Sequence, residues 1–161
     1  MYQVKPTSFK GNHALLKYDQ HFSEICYQGW SLDQAQASYQ GQNIEIQTSS
    51  KQKESHEIIK NGIKIGQITL GCQMWPCIEV LDQNQVTQHF VLQSEGFWNY
   101  KYVLHFANPK TPAIVLQPKV NWKKLTTHYD VKVVSATPLH FEVPALVIYS
   151  IYAMNMLAST M

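Results

Sequence analysis

The sequence predicts a mainly β domain: a closed or nearly closed antiparallel β-barrel wrapped around a buried hydrophobic C-terminal helix. From about residue 44, short segments that suit strands follow one another, separated by turn residues. The segment from Val143 to Met161 contains no charged side chain. A chain of 161 residues with 45% hydrophobic and 15% charged side chains is long enough for one packed core. We therefore predict a single domain over residues 1–161.

The N-terminal part of the sequence gives the weakest structural signals. Residues 1–12 are polar and contain Pro6 and Gly11, so they are predicted to be an irregular lead-in. The short apolar run His13–Tyr18 is predicted to be a first strand. Phe22–Trp30 is rich in aromatic residues and is compatible with more than one structure.

A short helix is predicted next, because Ser31 and Gln34 have the spacing of a capping box. This helix would run to about Tyr39 and stop at Gly41. The alternative is a loop that contains Ser and Gln by coincidence.

The clearest local signal is a β-hairpin. Ile44 and Ile46 first alternate with polar residues, as in a half-buried strand. After a polar loop, His56–Lys60 and Ile63–Leu70 flank Asn61-Gly62. Asn-Gly suits a type I′ turn, in which both central residues have positive φ.

Further strands are predicted at short intervals, with turns at Asp82–Asn84 and Asn108-Pro109. The dense aromatic stretch Gly96–Tyr102 is predicted to pack on both strand faces, with a binding platform as the alternative. The predicted strands are Cys77–Leu81, Gln85–Leu92, Trp98–Phe106, Pro112–Leu116 and Tyr129–Val134.

The C-terminal segment, about residues 144–160, is predicted to be a helix with apolar side chains in every direction. Such a helix must be enclosed by protein or by lipid. Its length would be about 26 Å at about 1.5 Å per residue, whereas a membrane span needs about 20 apolar residues. We therefore predict a core helix, and a membrane anchor is the alternative.

These elements together resemble the tubby C-terminal-like fold, which tubby proteins, phospholipid scramblases and plant LURP-one-related proteins share. The resemblance covers about Ile44–Met161, and the first forty residues match poorly. It is one of pattern and contains no fingerprint motif. The matching elements are the hairpin Ile59–Ile68, the strand Pro112–Leu116, the stretch Trp122–Val134, and the apolar helix preceded by Phe141.

The resemblance implies recognition of phosphoinositides or other anionic lipids, because tubby proteins hold phosphates with paired Lys and Arg on strands. The candidate residues here are Lys119, Lys123 and Lys124 around Trp122, with Lys101 nearby. All thirteen basic residues are Lys, so a phosphate would meet point charges instead of a bidentate fork. The alternative is a solvated turn whose lysines keep the barrel rim soluble.

No catalytic residue, metal site or cofactor is predicted. The sequence has no G-x-S-x-G elbow, P-loop or H-E-x-x-H motif. Cys72 and Cys77 form only one possible ligand pair, which cannot complete a tetrahedral zinc site. The acidic residues are dispersed, so the calcium site that the scramblase resemblance raises is not expected either.

The remaining predictions concern location and partners. Three cysteines and the lack of an N-terminal apolar h-region predict a cytoplasmic protein, peripheral at a membrane if it binds lipid. A net charge of +2 argues against nucleic acid as a partner. The predicted function is a non-catalytic module that binds an anionic phospholipid surface or a protein. The alternatives are a tail-anchored membrane protein with a cytosolic β domain, and a barrel that binds a small apolar ligand.

Overall fold

The computed structural model describes residues 2–28, 33–49, 54–71, 74–134 and 140–159. Within these ranges the chain forms twelve strands and one helix. The strands are Tyr2–Pro6 (β1), His13–Lys17 (β2), Gln20–Tyr27 (β3), Gln34–Tyr39 (β4), Gln42–Thr48 (β5), Ser55–Lys60 (β6), Ile63–Leu70 (β7), Pro76–Leu81 (β8), Thr87–Glu95 (β9), Lys101–Ala107 (β10), Lys110–Asn121 (β11) and Thr126–Val133 (β12), and the helix is Val143–Ser159 (α1).

The strands form a closed barrel, as the sequence predicts. Each strand pairs antiparallel with its neighbours in sequence, and β1 also pairs with β12, with Tyr2 opposite Val131. Side chains of alternate residues point inward, which gives the core of the sheet a period of two. The inward residues of the strands and the residues of α1 form one hydrophobic cluster.

The helix lies inside the barrel, and its residues from Pro144 to Met154 are all buried. The hydroxyl of Ser150 is satisfied within the helix, because it donates to the carbonyl oxygen of Leu146 at 2.8 Å. Burial on every side explains why the segment needs no polar face. The prediction of an enclosed helix over about 144–160 is confirmed, except that residues 160 and 161 are not described. In the described part of the chain, no helix combines the length and apolar character that a membrane span requires.

Successive connections alternate between the two ends of the barrel, because every strand reverses direction. We call the end that carries the β11–β12 turn the Trp122 end, and the end that carries the β6–β7 turn the Asn61 end. The helix begins at the Asn61 end, where the amide of Gln83 donates to the carbonyl oxygen of His140 at 2.8 Å. It finishes at the Trp122 end, where Asn155 Nδ2 donates to the carbonyl oxygen of Gly11 at 3.1 Å.

Two predictions for the N-terminal region need correction. The predicted lead-in over residues 1–12 is wrong, because Tyr2–Pro6 forms β1 and pairs with β2 and β12. Its Val4 is fully buried and its Tyr2 packs against the core, so two inward side chains anchor this short polar strand. The strand at His13–Tyr18 is confirmed as β2 over His13–Lys17, and the ambiguous aromatic stretch supplies β3.

The predicted short helix before Gly41 is also wrong. The residues from Gln34 form β4, in which Ala35, Ala37 and Tyr39 are buried and alternate with more exposed polar residues. Pairing with β5 along the whole strand outweighs the local capping-box signal. Ser31, the proposed cap, lies outside the described residues.

The predicted hairpin is confirmed as β6 and β7. Asn61 and Gly62 have φ of 50° and 82°, as a type I′ turn requires. The strands from Pro112 to Leu116 and from Tyr129 to Val134 are confirmed within the longer β11 and β12, although Val134 lies just beyond the end of β12. The stretch that joins them is a protruding hairpin with its turn at residues 122–125.

The predicted strand from Trp98 begins only at Lys101. Gly96 has φ of 84°, and a side chain there would meet the carbonyl oxygen of Asn99, so the chain turns out of β9 at this residue. Phe97 and Trp98 are 88% and 94% exposed, which contradicts the prediction that this stretch packs on both faces. Tyr102, inside β10, is buried as predicted.

Candidate functional site

A basic concave surface lies on the outside of β10, β11 and β12. We call it the lysine groove; it encloses about 750 Å³. Its basic residues are Lys101, Lys119 and Lys132, one from each strand. The other lining residues are Tyr2, Val115, Gln117, Asp130, Val131, Val133 and Val134.

Strand register places the three lysines on the same outer face. Lys132 lies opposite Val115, and Lys119 lies opposite His128, in the pairing of β11 with β12. Lys101 precedes Tyr102, whose partner is Leu116, so Lys101 lies beside Gln117. Lys101 and Lys119 are therefore diagonal neighbours, with Cβ atoms about 7–8 Å apart in a typical antiparallel pair.

The charge of the groove is dominated by lysine. Asp130 is the acidic residue in its lining, and Gln3 Nε2 donates to Asp130 Oδ1 at 3.1 Å. Among the described residues, none of the three groove lysines is within ion-pair distance of a carboxylate. A second carboxylate lies next to the groove, because Glu95 of β9 is opposite Lys101; its Oε1 lies 2.7 Å from Nε2 of His105, so both neighbouring carboxylates are already engaged by other side chains.

The predicted site residues separate into two groups. Lys101 and Lys119 lie together in the lysine groove. Trp122, Lys123 and Lys124 lie in the exposed β11–β12 turn, with Trp122 79% exposed. Asn121 shapes this turn, because its Oδ1 accepts hydrogen bonds from the backbone amides of Lys123 and Lys124.

Lys132 is the groove residue that the sequence analysis missed. It stands in the Tyr-Asp-Val-Lys-Val stretch, where alternation puts Asp130 and Lys132 on the face opposite to the buried Val131. That alternation could have placed Lys132 outside the barrel. The partnership with Lys101 depends on strand order and could not be derived from spacing.

A second polar cluster lies on the outer face of β9 and β10. His105 is 7% exposed, and its Nε2 lies 2.7 Å from Glu95 Oε1. The loop at residues 96–100 is held against the same face, because Gln117 Nε2 donates to Asn99 Oδ1 and to the carbonyl oxygen of Tyr100. His105 is the buried member of this pair, and the Glu95 side chain is 39% exposed.

Two further groups of ionisable residues lie inside the barrel. His56 Nδ1 and Tyr152 Oη lie 2.5 Å apart, and burial lowers the pKa of His56. Near the Asn61 end, burial raises the pKa of Tyr39, and the neighbouring Glu142 carboxyl raises it further. Burial likewise raises the pKa of Tyr149, with a smaller contribution from the charge of Glu142. These shifts follow from enclosure in an apolar core.

The cysteines and possible metal ligands can be placed in part. Cys26 is exposed and Cys77 is half-buried. Cys72 lies outside the described residues. Over the ranges that the structure covers, no three His, Cys, Asp or Glu side chains come together in a way that could hold a metal ion.

Comparison of the chain with models of protein families, with curated proteins and with solved structures gives no match.

Proposed function

We propose that the protein is a non-catalytic binding module that recognises anionic phospholipid headgroups through the lysine groove. The observation that carries the proposal is the convergence of Lys101, Lys119 and Lys132 from three adjacent strands on one groove. Near an anionic membrane surface, each lysine contributes about 1 kcal/mol to binding. Three such charges favour association that is reversible and sensitive to salt.

The spacing of the lysines suits a phosphate group. Side chains on adjacent strands start about 5 Å apart, and diagonal neighbours about 7–8 Å apart. Lys101 and Lys119 can therefore reach one phosphate from two sides, as point charges without the geometric selectivity of a guanidinium. We infer that the groove recognises the negative charge of a lipid headgroup and does not select one particular headgroup.

We also infer that the chain is a divergent member of the tubby C-terminal-like group. The resemblance implies a closed or nearly closed barrel around a C-terminal helix, and the chain forms a closed barrel of twelve strands around α1. The inference extends the resemblance to the first forty residues, which supply β1 to β4. Lysines on neighbouring outer strands are also what a tubby-like phosphate site would use.

Burial of the helix bears on both alternative functions, a tail-anchored membrane protein and a barrel that binds a small apolar ligand. A tail anchor would have to remove α1 from the barrel and expose the inward side chains that pack on it, such as Tyr27, which stacks on Tyr152 with ring centroids 5.7 Å apart. A small apolar ligand would need a lumen, and the helix occupies it. We therefore favour recognition on the outer surface of the barrel.

Sedimentation with phospholipid vesicles tests the proposal. We expect the full chain to bind vesicles of phosphatidylcholine with 30% phosphatidylserine more tightly than pure phosphatidylcholine vesicles, with the difference lost at about 0.5 M salt. The variant Lys101→Glu/Lys119→Glu should reduce binding to the anionic vesicles at least tenfold, since two favourable charges become unfavourable.

The matched control is Lys60→Glu/Lys110→Glu, which makes the same change in net charge away from the lysine groove. Lys60 precedes the β6–β7 turn, and Lys110 follows the β10–β11 turn. We expect this control to lose much less binding than the groove variant. Equal losses in the two variants would show that net charge alone drives binding, and the groove would then not be the site.

A further inference from the structure

Both ends of the barrel expose large apolar side chains, and those at the Trp122 end include every strongly exposed Trp and Phe among the described residues. Trp98 and Trp122 are 94% and 79% exposed, although a soluble surface rarely leaves tryptophan bare. We call this set the aromatic rim; its members are Phe9, Met74, Phe97, Trp98, Trp122 and Leu125.

The topology makes the rim continuous. Its residues belong to the β1–β2, β7–β8, β9–β10 and β11–β12 connections, which all emerge at the Trp122 end. Because β1 pairs with β12, β11 with β10, and β9 with β8, these four loops are neighbours around the barrel. Phe9 and Leu125 line the same cleft of about 430 Å³, so two of the loops meet directly.

The charge of these loops has one sign. Segments 7–12, 71–75, 96–100 and 122–125 contain three lysines, Lys10, Lys123 and Lys124, and no Asp or Glu. The hairpin turns at the Asn61 end have the opposite character. Segments 18–19, 40–41, 61–62, 82–86 and 108–109 contain two aspartates and no lysine. Two further connections at the Trp122 end, 28–33 and 49–54, add Asp33, Lys51, Lys53 and Glu54, so the four rim loops are the purely basic sector of this end.

Aromatic side chains interspersed with lysines suit the interface of a lipid bilayer. Trp and other amphipathic rings partition to the headgroup level, and lysines beside them meet anionic lipid. A protein partner would more typically meet anchor residues packed into one patch and surrounded by a polar rim. Here the exposed side chains stand on the tips of separate loops, an arrangement that can enter a fluid phase without a complementary surface.

We propose that the aromatic rim inserts into the interfacial layer of an anionic bilayer, with the barrel standing on its Trp122 end. This deepens the proposed function, on which it rests for the choice of lipid as the partner. The lysine groove opens on the wall above, since Lys119 lies three residues before Trp122 in the hairpin. Insertion and headgroup binding can then occur together in one orientation, with the C-terminal end of α1 facing the membrane.

Vesicle binding of the full chain tests insertion separately from charge. The rim variant is Phe97→Ser/Trp98→Ser/Trp122→Ser, whose side chains are exposed and leave the core intact. We expect it to bind at least about tenfold more weakly to both anionic and pure phosphatidylcholine vesicles, because the inserted apolar area is lost. The matched control is Tyr18→Ser/Ile63→Ser/Val86→Ser at the opposite end, and we expect its binding to stay within about twofold of wild type.

The depth to which the aromatic rim inserts is measured by fluorescence quenching, with the wild-type chain bound to vesicles that contain dibrominated phosphatidylcholine. Vesicles with bromine near the top of the acyl chains should quench tryptophan fluorescence more than vesicles brominated near the bilayer centre. Unquenched fluorescence in vesicle-bound protein would overturn insertion, as would rim and control variants that bind equally well. A rim that serves a protein partner instead would give these same negative results.

The groove variant Lys101→Glu/Lys119→Glu separates this inference from the proposed function. If the groove variant keeps wild-type binding while the rim variant loses it, insertion stands and headgroup recognition by the groove fails. If only the groove variant loses binding, the inference about the rim fails and the proposed function stands. Thermal melts of all variants check that each one remains folded.

Discussion

The contact between the helix and the barrel wall can be tested at Tyr152. Its side chain is fully buried and stacks on Tyr27, with ring centroids 5.7 Å apart. Its hydroxyl lies 2.5 Å from Nδ1 of His56, which is 7% exposed. Tyr152→Phe removes the hydroxyl and keeps the ring, so it leaves a buried imidazole nitrogen without that partner.

The size of the effect follows from this geometry. A buried polar group that loses its partner costs about 1–3 kcal/mol. For a chain of this length, each kcal/mol lowers Tm by about 2–4 °C. We therefore expect Tyr152→Phe to lower Tm by about 4–8 °C if the cost is about 2 kcal/mol. His56→Leu should cost a similar amount, and the double variant should cost less than the sum of the two.

The assay is urea unfolding at pH 8, followed by circular dichroism, for wild type, both single variants and the double variant. The pH dependence gives a second readout, because burial holds the pKa of His56 below the usual value of 6.5. The unfolded chain then binds more protons than the folded chain as the pH falls below 6.5, so stability is fully present above that pH and decreases in acid. His56→Leu should flatten this decrease, while His13, whose pKa burial also lowers, keeps part of it.

Two results would refute the reasoning. If the free-energy changes of the single variants add within about 0.5 kcal/mol, the two side chains are not coupled. If the stability of His56→Leu falls between pH 7 and pH 5 as steeply as that of wild type, His56 is not a source of the acid sensitivity.

Three other predictions concern separate parts of the fold. Gly66→Ala would place a methyl group against the carbonyl oxygen of Glu79 on the adjacent strand. We therefore expect the free energy of unfolding, measured with urea, to fall by about 1–3 kcal/mol or more. Asn155→Ala removes two hydrogen bonds between the helix and the Trp122 end, and should cost about 1–3 kcal/mol and speed amide exchange in residues 7–12. Hydrogen bonds, first of all from the Val86 amide, hold the pKa of Asp82 below its usual value, so its contribution to stability is present above about pH 3.8 and lost in acid. Asp82→Asn should therefore lower Tm at pH 7, and its difference from wild type should shrink as the pH falls below about 3.8.

The features that could be predicted from the sequence are those with strong local causes. The β6–β7 hairpin is set by Asn61-Gly62, where positive φ is required. The helix is evident because a segment that is apolar all round has to be enclosed, and its length falls short of a membrane span. Enclosure by a strand-rich chain in turn implies a barrel, so the architecture followed from two local signals.

The predictions that were wrong concern elements whose structure depends on contacts with residues distant in sequence. β1 exists because β12 and β2 pair with it, and its own side chains are mostly polar. β4 carries a helix-capping pattern that pairing with β5 overrides. In the loop before β10, aromatic alternation suggested packing, but the turn at Gly96 places Trp98 in solvent.

The candidate site was only partly predictable for the same reason. Clustering in the sequence identified Trp122, Lys123 and Lys124, which do share a turn. The grouping of Lys101 with Lys119 and Lys132 arises from strand order and register, which one sequence does not specify. Sequence proximity therefore identified the hairpin tip but not the composition of the groove.

Pairing of the first strand with the last also determines when the protein can fold during synthesis. Tyr2 of β1 pairs with Val131 of β12, so β1 cannot complete its pairing until almost all of the strands have been synthesised. The segment that fills the interior, α1, leaves the ribosome later still. Most strand pairs join neighbours in sequence, so closure of the barrel and docking of the helix are the late steps, and the apolar strand faces stay open to chaperones until β12 and α1 have been made.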